Sequence, residues 1–378
     1  MRNKRDISVE LARILASMIV IGVHSCLSVY YDGACAQNRV FIACLFADGV
    51  AVFWLIMGGF LFKNTSYKAL IQRTLISTAI PMVCFSIVIF YLSGWILEGK
   101  TILQSIIHTK EEYIAILNNL LAWDNPIPYL GHLWYLYVYF IIILIWPVLK
   151  SFVNYLDGSV ERTKYFLFIS FIYLVINDIS DNRLAVFSHH SINAAVPAAI
   201  EVIWGHILYK NKARFSKMNV FIYSIICFIV LNVFRTKVQF ERYSIGQGNH
   251  ILYWYTCIGL ICAICLLVCC FGLVRKIKCN GTKVISFLAE HTFNVYLIHP
   301  LVITKMQCYS IQDNLYRYIV GNNKTDMGEY IYTLILVILI FGISIGLSCT
   351  FKYFVKILRL LRTSLNKKDN IAYNDCGK

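Results

Sequence analysis

The chain has 378 residues and a formal net charge of +15, yet only 15% of its residues are charged and 58% are hydrophobic. A soluble domain of this length needs far more charge to cover its surface, so a globular water-soluble fold is excluded. Apolar runs of about 18 residues or more recur along the whole chain, which is the signature of transmembrane helices.

The basic charge has two readings, a nucleic-acid surface or membrane orientation, and its distribution decides between them. With residues 1–6 placed in the cytoplasm, 24 of the 35 Lys and Arg fall on the inner side, 10 on the outer, and Arg13 lies within a span. That is the positive-inside pattern, so no nucleic-acid partner is expected. Ten helices are predicted, over residues 7–29, 40–62, 74–97, 132–149, 165–179, 192–209, 218–234, 251–274, 284–306 and 329–351. The expected fold is all-α: a polytopic membrane protein of about ten transmembrane helices enclosing a polar tunnel, with both termini cytoplasmic. Residues 1–351 form the transmembrane domain and 352–378 a basic cytoplasmic tail. The tail stretch KYFVKILRLLRTSLNKK alternates apolar and basic residues at helical spacing, which predicts a helix on the inner membrane face. The first apolar run is too long for a cleavable signal peptide and lacks a small-residue cleavage site. Most of the 14 cysteines fall in apolar spans, where Cys packs as a small hydrophobe. Cys35 and Cys308 both fall on the outer side, and a disulfide between them is left open.

The first helix, ELARILASMIVIGVHS, carries Glu10, Arg13 and His24. Arg13 and His24 are eleven residues apart, which puts them within roughly 20° of one face and about 16 Å apart along the axis. A charge in a membrane helix normally faces a bundle interior or a wet cavity. This face therefore reads either as the wall of a polar channel or as a Glu10–Arg13 pair with a histidine at the interface. In DGVAVFWLIMGGFLFKN, the pair Gly58–Gly59 permits close helix packing or close ligand approach. Lys63, Lys68 and Arg73 follow on the inner side, as positive-inside charge or as a phosphate-binding loop. The outer segment 98–131 has room for a short surface helix before its PIP turn, and a second outer segment spans 307–328. GHLWYLYVYF then opens a helix from the outer side with His132 and Trp134 at the interface. Glu201 lies within a further span and is expected to face the interior. AEHTFNVYLIHPLVI brings Glu290, His291 and His299 into an apolar run, with Pro300 expected to kink or end the helix. The two histidines are eight apart, about 80° around the helix. That is not the i,i+3 or i,i+4 spacing of helical metal ligands, and no metal site is expected.

These segments together resemble the acyltransferase-3 family of integral membrane acyltransferases. Its members have an acidic residue three before an arginine and a histidine after ten more, and Glu10, Arg13 and His24 meet that spacing. GVAVFWLIMGGF stands where the family has a GV-x-x-F-F-x-x-SGF-like run, HLWYL where it has a HLWFL-like one, and YLIH ends at His299. Gly58 replaces the serine of the SGF-like run, and of the family's R-x-x-R pair only Arg73 has a clear counterpart, with Lys68 five residues before it. The likeness spans residues 7–351 and looks like the enterobacterial-common-antigen and O-antigen acetyltransferase branch, which lacks a fused esterase-like domain. It implies an O-acyltransferase in the bacterial inner membrane, moving an acyl group, usually acetyl, from cytoplasmic acyl-CoA (acetyl-CoA) to a hydroxyl of a cell-surface glycan or lipid-linked saccharide. On this reading Arg13, Arg73 and Lys68 hold the donor's phosphates, with Gly58 and Gly59 beside it. His24 acts as general base or acyl-accepting nucleophile, Glu10 orients Arg13, and His132, Trp134 and His299 shape the acceptor side. Glu201 and His291 line the polar tunnel. A transporter or flippase of a lipid-linked glycan, a ligand sensor, and a family member using succinyl or another donor are the alternatives.

Overall fold

The computed structural model describes residues 6–31, 37–121, 130–179, 190–244, 257–276, 279–321 and 326–375. Every regular element among them is helical. In chain order these are α1 (Ile7–Tyr31), α2 (Gln37–Leu45), α3 (Gly49–Leu61) and α4 (Tyr67–Thr74), then a π-helical segment, Leu75–Ala79, that leads into α5 (Ile80–Glu98). Next come α6 (Ile102–Ile106), α7 (Lys110–Leu121), a 3-10 turn at Gly131–Leu133, α8 (Trp134–Leu144), α9 (Trp146–Asp157) and α10 (Val160–Ile179). The chain continues through α11 (His190–Lys210), α12 (Lys212–Phe215), α13 (Met218–Ser244), α14 (Cys257–Leu273), α15 (Cys279–Cys308), α16 (Ile311–Ile319) and α17 (Asp326–Asp375).

Local chemistry sets several boundaries. Ser66 caps α4 by accepting from the Ala69 N–H at 3.3 Å. Thr101 and Gln104 form a reciprocal capping box at α6. Pro147 has no N–H for the Ile143 carbonyl, and α8 and α9 meet there at 67°. Segment 98–131 holds two helices, α6 and α7, while its PIP turn lies outside the described residues. Segment 307–328 contains α16, and α15 runs on through Pro300 to Cys308. α17 continues without interruption through the basic tail to Asp375.

Five helical segments are long and apolar enough to cross a membrane: Ile7–Ser25, Gln37–Leu61, Tyr67–Glu98, Met218–Glu241 and Met327–Tyr353. The bent pair α8–α9 makes a sixth if it is one span. The other four predicted segments correspond to α10, α11, α14 and α15, which fall short in length or hydropathy. α14 has 17 residues, residues 251–256 of its predicted span lying outside the described residues; α10 carries Glu161, Arg162, Lys164 and Asp178, and α15 carries Lys283, Glu290 and Lys305. Ile76, Ile80, Val83 and Ile87 on one side of the molecule are exposed, as are Ile222, Ile226 and Val230 on α13, giving the outward apolar faces a lipid-embedded protein presents.

α1 is central, packed by α3, α14, α15 and α17, and small residues such as Ala12 and Ala16 let its neighbours come close. The tightest approach is between α3 and α11. A Cβ at Gly58 would lie 1.8 Å from the Val202 carbonyl oxygen, one at Gly59 would lie 2.4 Å from the Tyr209 ring, and one at Gly205 would lie 2.1 Å from the Leu55 carbonyl oxygen. The two backbones touch, and only glycine fits.

A second tie is ionic. Asp48, just before α3, meets Arg235 of α13 through contacts of 3.2–3.3 Å, and both side chains are no more than 1% exposed. The predicted helix 218–234 stops one residue short of Arg235, but α13 extends to Ser244 and holds that side chain inside the bundle. Arg39 and Asn38 of α2 similarly grip Glu329 of α17, at 2.9 and 2.7 Å. The possible Cys35–Cys308 bridge involves Cys35, which lies outside the described residues.

Both ties can be tested by substitution. Gly58→Ala is expected to destabilise the protein by about 1–3 kcal/mol by overpacking. Gly342→Ala, where a Cβ meets nothing within 4 Å, should be neutral or slightly stabilising by helix propensity. Thermal unfolding in detergent, followed by size-exclusion chromatography, reads both. Asp48→Asn alone should cost on the order of 3–5 kcal/mol by stranding the Arg235 charge, and the double change Asp48→Asn/Arg235→Met should recover much of that loss in the same assay.

Candidate active site

α1 delivers three polar side chains along one stripe. Glu10 accepts a hydrogen bond from Ser286 of α15. One turn on, Arg13 donates from Nη2 to Thr292 Oγ1 at 2.9 Å, so α1 and α15 are zipped along this face. Near the other end of the helix, His24 meets two histidines from distant parts of the sequence. Its ring centroid is 5.2 Å from that of His299 on α15 and 6.4 Å from that of His132 in the 3-10 turn. His132 and His299 are themselves 5.2 Å apart. His132 and His299 are buried, and the Tyr296 hydroxyl donates to the His132 carbonyl, fixing the 3-10 turn against α15.

Three cavities follow one another from this cluster. The first, of about 10 Å³, lies beside His24, with His132, Trp134, Phe46 and Tyr296 in its wall. The second, of about 250 Å³, is lined by Arg13 and Thr292 and by the aromatic rings of Phe53, Tyr135, Tyr139 and Tyr296. The third, of about 430 Å³, opens among Lys63, Asn64, Arg73, Thr74 and Ser77. Tyr296 is common to the first two, and Met57 and Tyr139 are common to the second and third. Arg73 donates to Asn64 Oδ1 at 3.3 Å, which bridges the turn after α3 and the end of α4 at the cationic mouth. The π-helical segment begins directly after Thr74 and contains Ser77, so the widened helix turn forms part of this mouth.

The structure thus gathers His24, His132, Trp134 and His299 at one end of the path, Arg13 along it and Arg73 at the other end. Other predicted site residues are placed elsewhere. Gly58 and Gly59 face α11 rather than a cavity, because the backbone that needs them is that of a neighbouring helix. Lys68 is exposed on α4 outside the cavity walls, since the Ser66 cap starts the helix and turns that position away; Lys63, in the preceding turn, contributes the second cation. His291 turns to α17, with Nδ1 2.7 Å from Ser348 Oγ, and lines none of the three cavities. Glu201 is fully buried on α11 with neither carboxylate oxygen hydrogen-bonded, and it too is outside the cavity walls. Thr292, Tyr296 and Tyr139 were missed by the sequence reading. Tyr296 opens the YLIH stretch, three residues before His299, so one helical turn of spacing was the signal that pointed to it.

A separate polar cavity of about 350 Å³ lies among α5, α6 and α7, lined by Ser93, Glu98, Lys100, Gln104, His108 and Glu112. His108 stacks on Phe90 at 3.9 Å, and Lys305 near the end of α15 donates to the Ile96 carbonyl at 2.5 Å. The cavity therefore sits toward the end of α15 that lies beyond His299.

A family model described as an acyltransferase domain matches residues 6–352. Comparisons with curated proteins and with solved structures give no match.

Proposed function

The chain belongs to the acyltransferase-3 family, and from that premise we propose that it is a membrane O-acyltransferase that moves an acetyl group from cytoplasmic acetyl-CoA to a hydroxyl of a cell-surface polysaccharide or its lipid-linked precursor. The observation that carries this reading is the succession of three cavities from the Lys63–Arg73 mouth, past Arg13, to the histidine cluster. An acyl-CoA is a phosphate-rich head on a long, slender arm that ends in a thioester. Cations at a wide mouth suit the head, and a narrower aromatic-walled passage suits the arm.

In this proposal the basic mouth faces the cytoplasm, the ten helical segments all cross the bacterial inner membrane, and both termini lie inside. His24 is the general base. One ring nitrogen takes the proton of the acceptor hydroxyl, the hydroxyl oxygen bonds to the acyl carbon, the carbon–sulfur bond breaks, and the proton passes to the leaving thiolate. Arg13 steadies the donor, Glu10 keeps the neighbouring helices in register through Ser286, and His132 and Trp134 border the acceptor. The polar cavity among α5, α6 and α7 offers carboxylates, an amide and aromatic edges, groups that suit a hydroxyl-rich saccharide. The likeness to the O-antigen and enterobacterial-common-antigen branch supports a glycan acceptor.

Acetate on surface polysaccharide, measured from cells making wild-type or His24→Ala protein at matched membrane levels, tests the assignment. Acetate is expected with the wild type and lost with the variant. Equal acetate in both would remove His24 from catalysis, and none in either would shift the reading toward transport of a lipid-linked glycan. Separately, Lys63→Ala and Arg73→Ala should each raise KM for acetyl-CoA by roughly five- to tenfold with kcat held. The same variants should leave KM for a phosphate-free acetyl-cysteamine thioester unchanged.

A further inference from the structure

In an α-helix the carbonyl of one residue receives the N–H of the residue four further on. For Tyr296 that residue is Pro300, which has no N–H, and α15 nevertheless continues through it. The orphaned carbonyl is taken by a side chain: His299 Nδ1 lies 2.8 Å from the Tyr296 oxygen and 3.2 Å from the Val295 oxygen. Carbonyls only accept, so Nδ1 carries the hydrogen. The lone pair of the neutral ring is then on Nε2, which can only accept. That atom is buried and has no hydrogen-bond partner. The residue is 0% exposed and lies in none of the three cavity walls described above, so in this arrangement it acts through a neighbour. His24 and His132 are such neighbours, each with its ring centroid 5.2 Å from that of His299. No N–H···N bond joins these rings as they stand, but of the two only His24 lies on the stripe that carries Arg13, and a rotation of its ring, tilted by 43° to that of His299, would bring an N–H onto Nε2.

We propose that His299 is the positioning residue for His24: in the reacting arrangement the His24 ring turns so that the unpartnered Nε2 of His299 accepts its N–H, which leaves the lone pair of the other His24 nitrogen facing the cavity beside Trp134. The inference rests on the reading of His24 as the base. It adds the device that selects the His24 tautomer, the task a buried carboxylate performs in a Ser–His–Asp triad. Here a neutral histidine performs it, and a proline supplies the carbonyl that fixes that histidine. The sequence His299–Pro300 is then a single unit, in which the missing N–H of one residue sets the proton of the other. When His24 takes up the acceptor proton, its second N–H remains bonded to Nε2 and no proton needs to move to His299.

The test uses the full chain in detergent and diethylpyrocarbonate, a small reagent that acylates the lone-pair nitrogen of neutral imidazole, with the rate at His24 read by peptide mass spectrometry. In His299→Asn the amide N–H keeps the bond to the Tyr296 carbonyl but nothing replaces Nε2. In His299→Gln a carbonyl oxygen reaches the place of Nε2 while the Nδ1 donor is lost. The asparagine variant is expected to slow His24 labelling about tenfold, the scale of one lost hydrogen bond, and the glutamine variant to stay within about twofold of wild type. The reverse order would mean that His299 only satisfies the helix, and would overturn the proposal. Pro300→Ala guards against misfolding, because it restores a helical N–H to the Tyr296 carbonyl and releases His299. It should also slow labelling, and an unchanged rate would again overturn the proposal. Acetyl-CoA turnover is followed in the same samples. The expected labelling order with no turnover in any protein, wild type included, would support the histidine pair while removing the acyltransferase reading.

Discussion

The contact on which the rest of the architecture depends is the backbone-to-backbone seam between α3 and α11. Within a bilayer, apolar side chains gain little by leaving lipid for one another, so close packing of small residues has to hold helices together. Gly58, Gly59 and Gly205 allow that packing, and they also fix the rotation of α3 about its own axis. With Leu55 and Gly58 turned to α11, Phe53, Ile56 and Met57 are turned to the cavity that Arg13 lines. The Asp48–Arg235 pair then holds the start of α3 against α13, so the helix is set in both rotation and position.

The polar groups along the path of cavities are arranged by degree of hydration. Lys63 and Arg73 stand at a wide mouth where water can screen them. Arg13 is half-buried and bonded to Thr292. The histidine cluster is uncharged when neutral and occupies the tightest place. A formal charge grows costlier with depth, so along this path the permanent cations stand where they are cheapest and the titratable groups at the far end, while the one deeply buried cation elsewhere described, Arg235, is paired with Asp48.

Helical periodicity alone placed Glu10, Arg13 and His24 on one stripe, and the structure keeps them there. It could not show that His132 and His299 meet His24, because that meeting depends on how α1, α15 and the 3-10 turn pack. A glycine pair reads the same in sequence whether a ligand or a helix approaches it, which is why Gly58 and Gly59 looked like a donor site. Lys63 and Lys68 were indistinguishable as loop cations until the Ser66 cap decided where α4 begins. Arg235 fell one residue beyond the predicted helix because its partner, Asp48, is 187 residues away in the chain. Eight residues of separation, enough to rotate a side chain by about 80°, sent His291 toward α17 while His299 faced α1. The all-helical character was legible from hydrophobic runs, and five or six of the predicted segments are long and apolar enough to span. Among the described residues α10, α11 and α15 fall short because polar side chains interrupt them, several of which, Glu201 and His299 among them, point into the bundle.

The space beside His24, about 10 Å³, is at the lower limit of what a single water molecule needs. Neither a thioester nor a sugar hydroxyl has room there while Phe46 and Trp134 stand as they do. Under the proposed function, either reactant could reach His24 only if these walls part, so the size of this space is a constraint on both reactants alike.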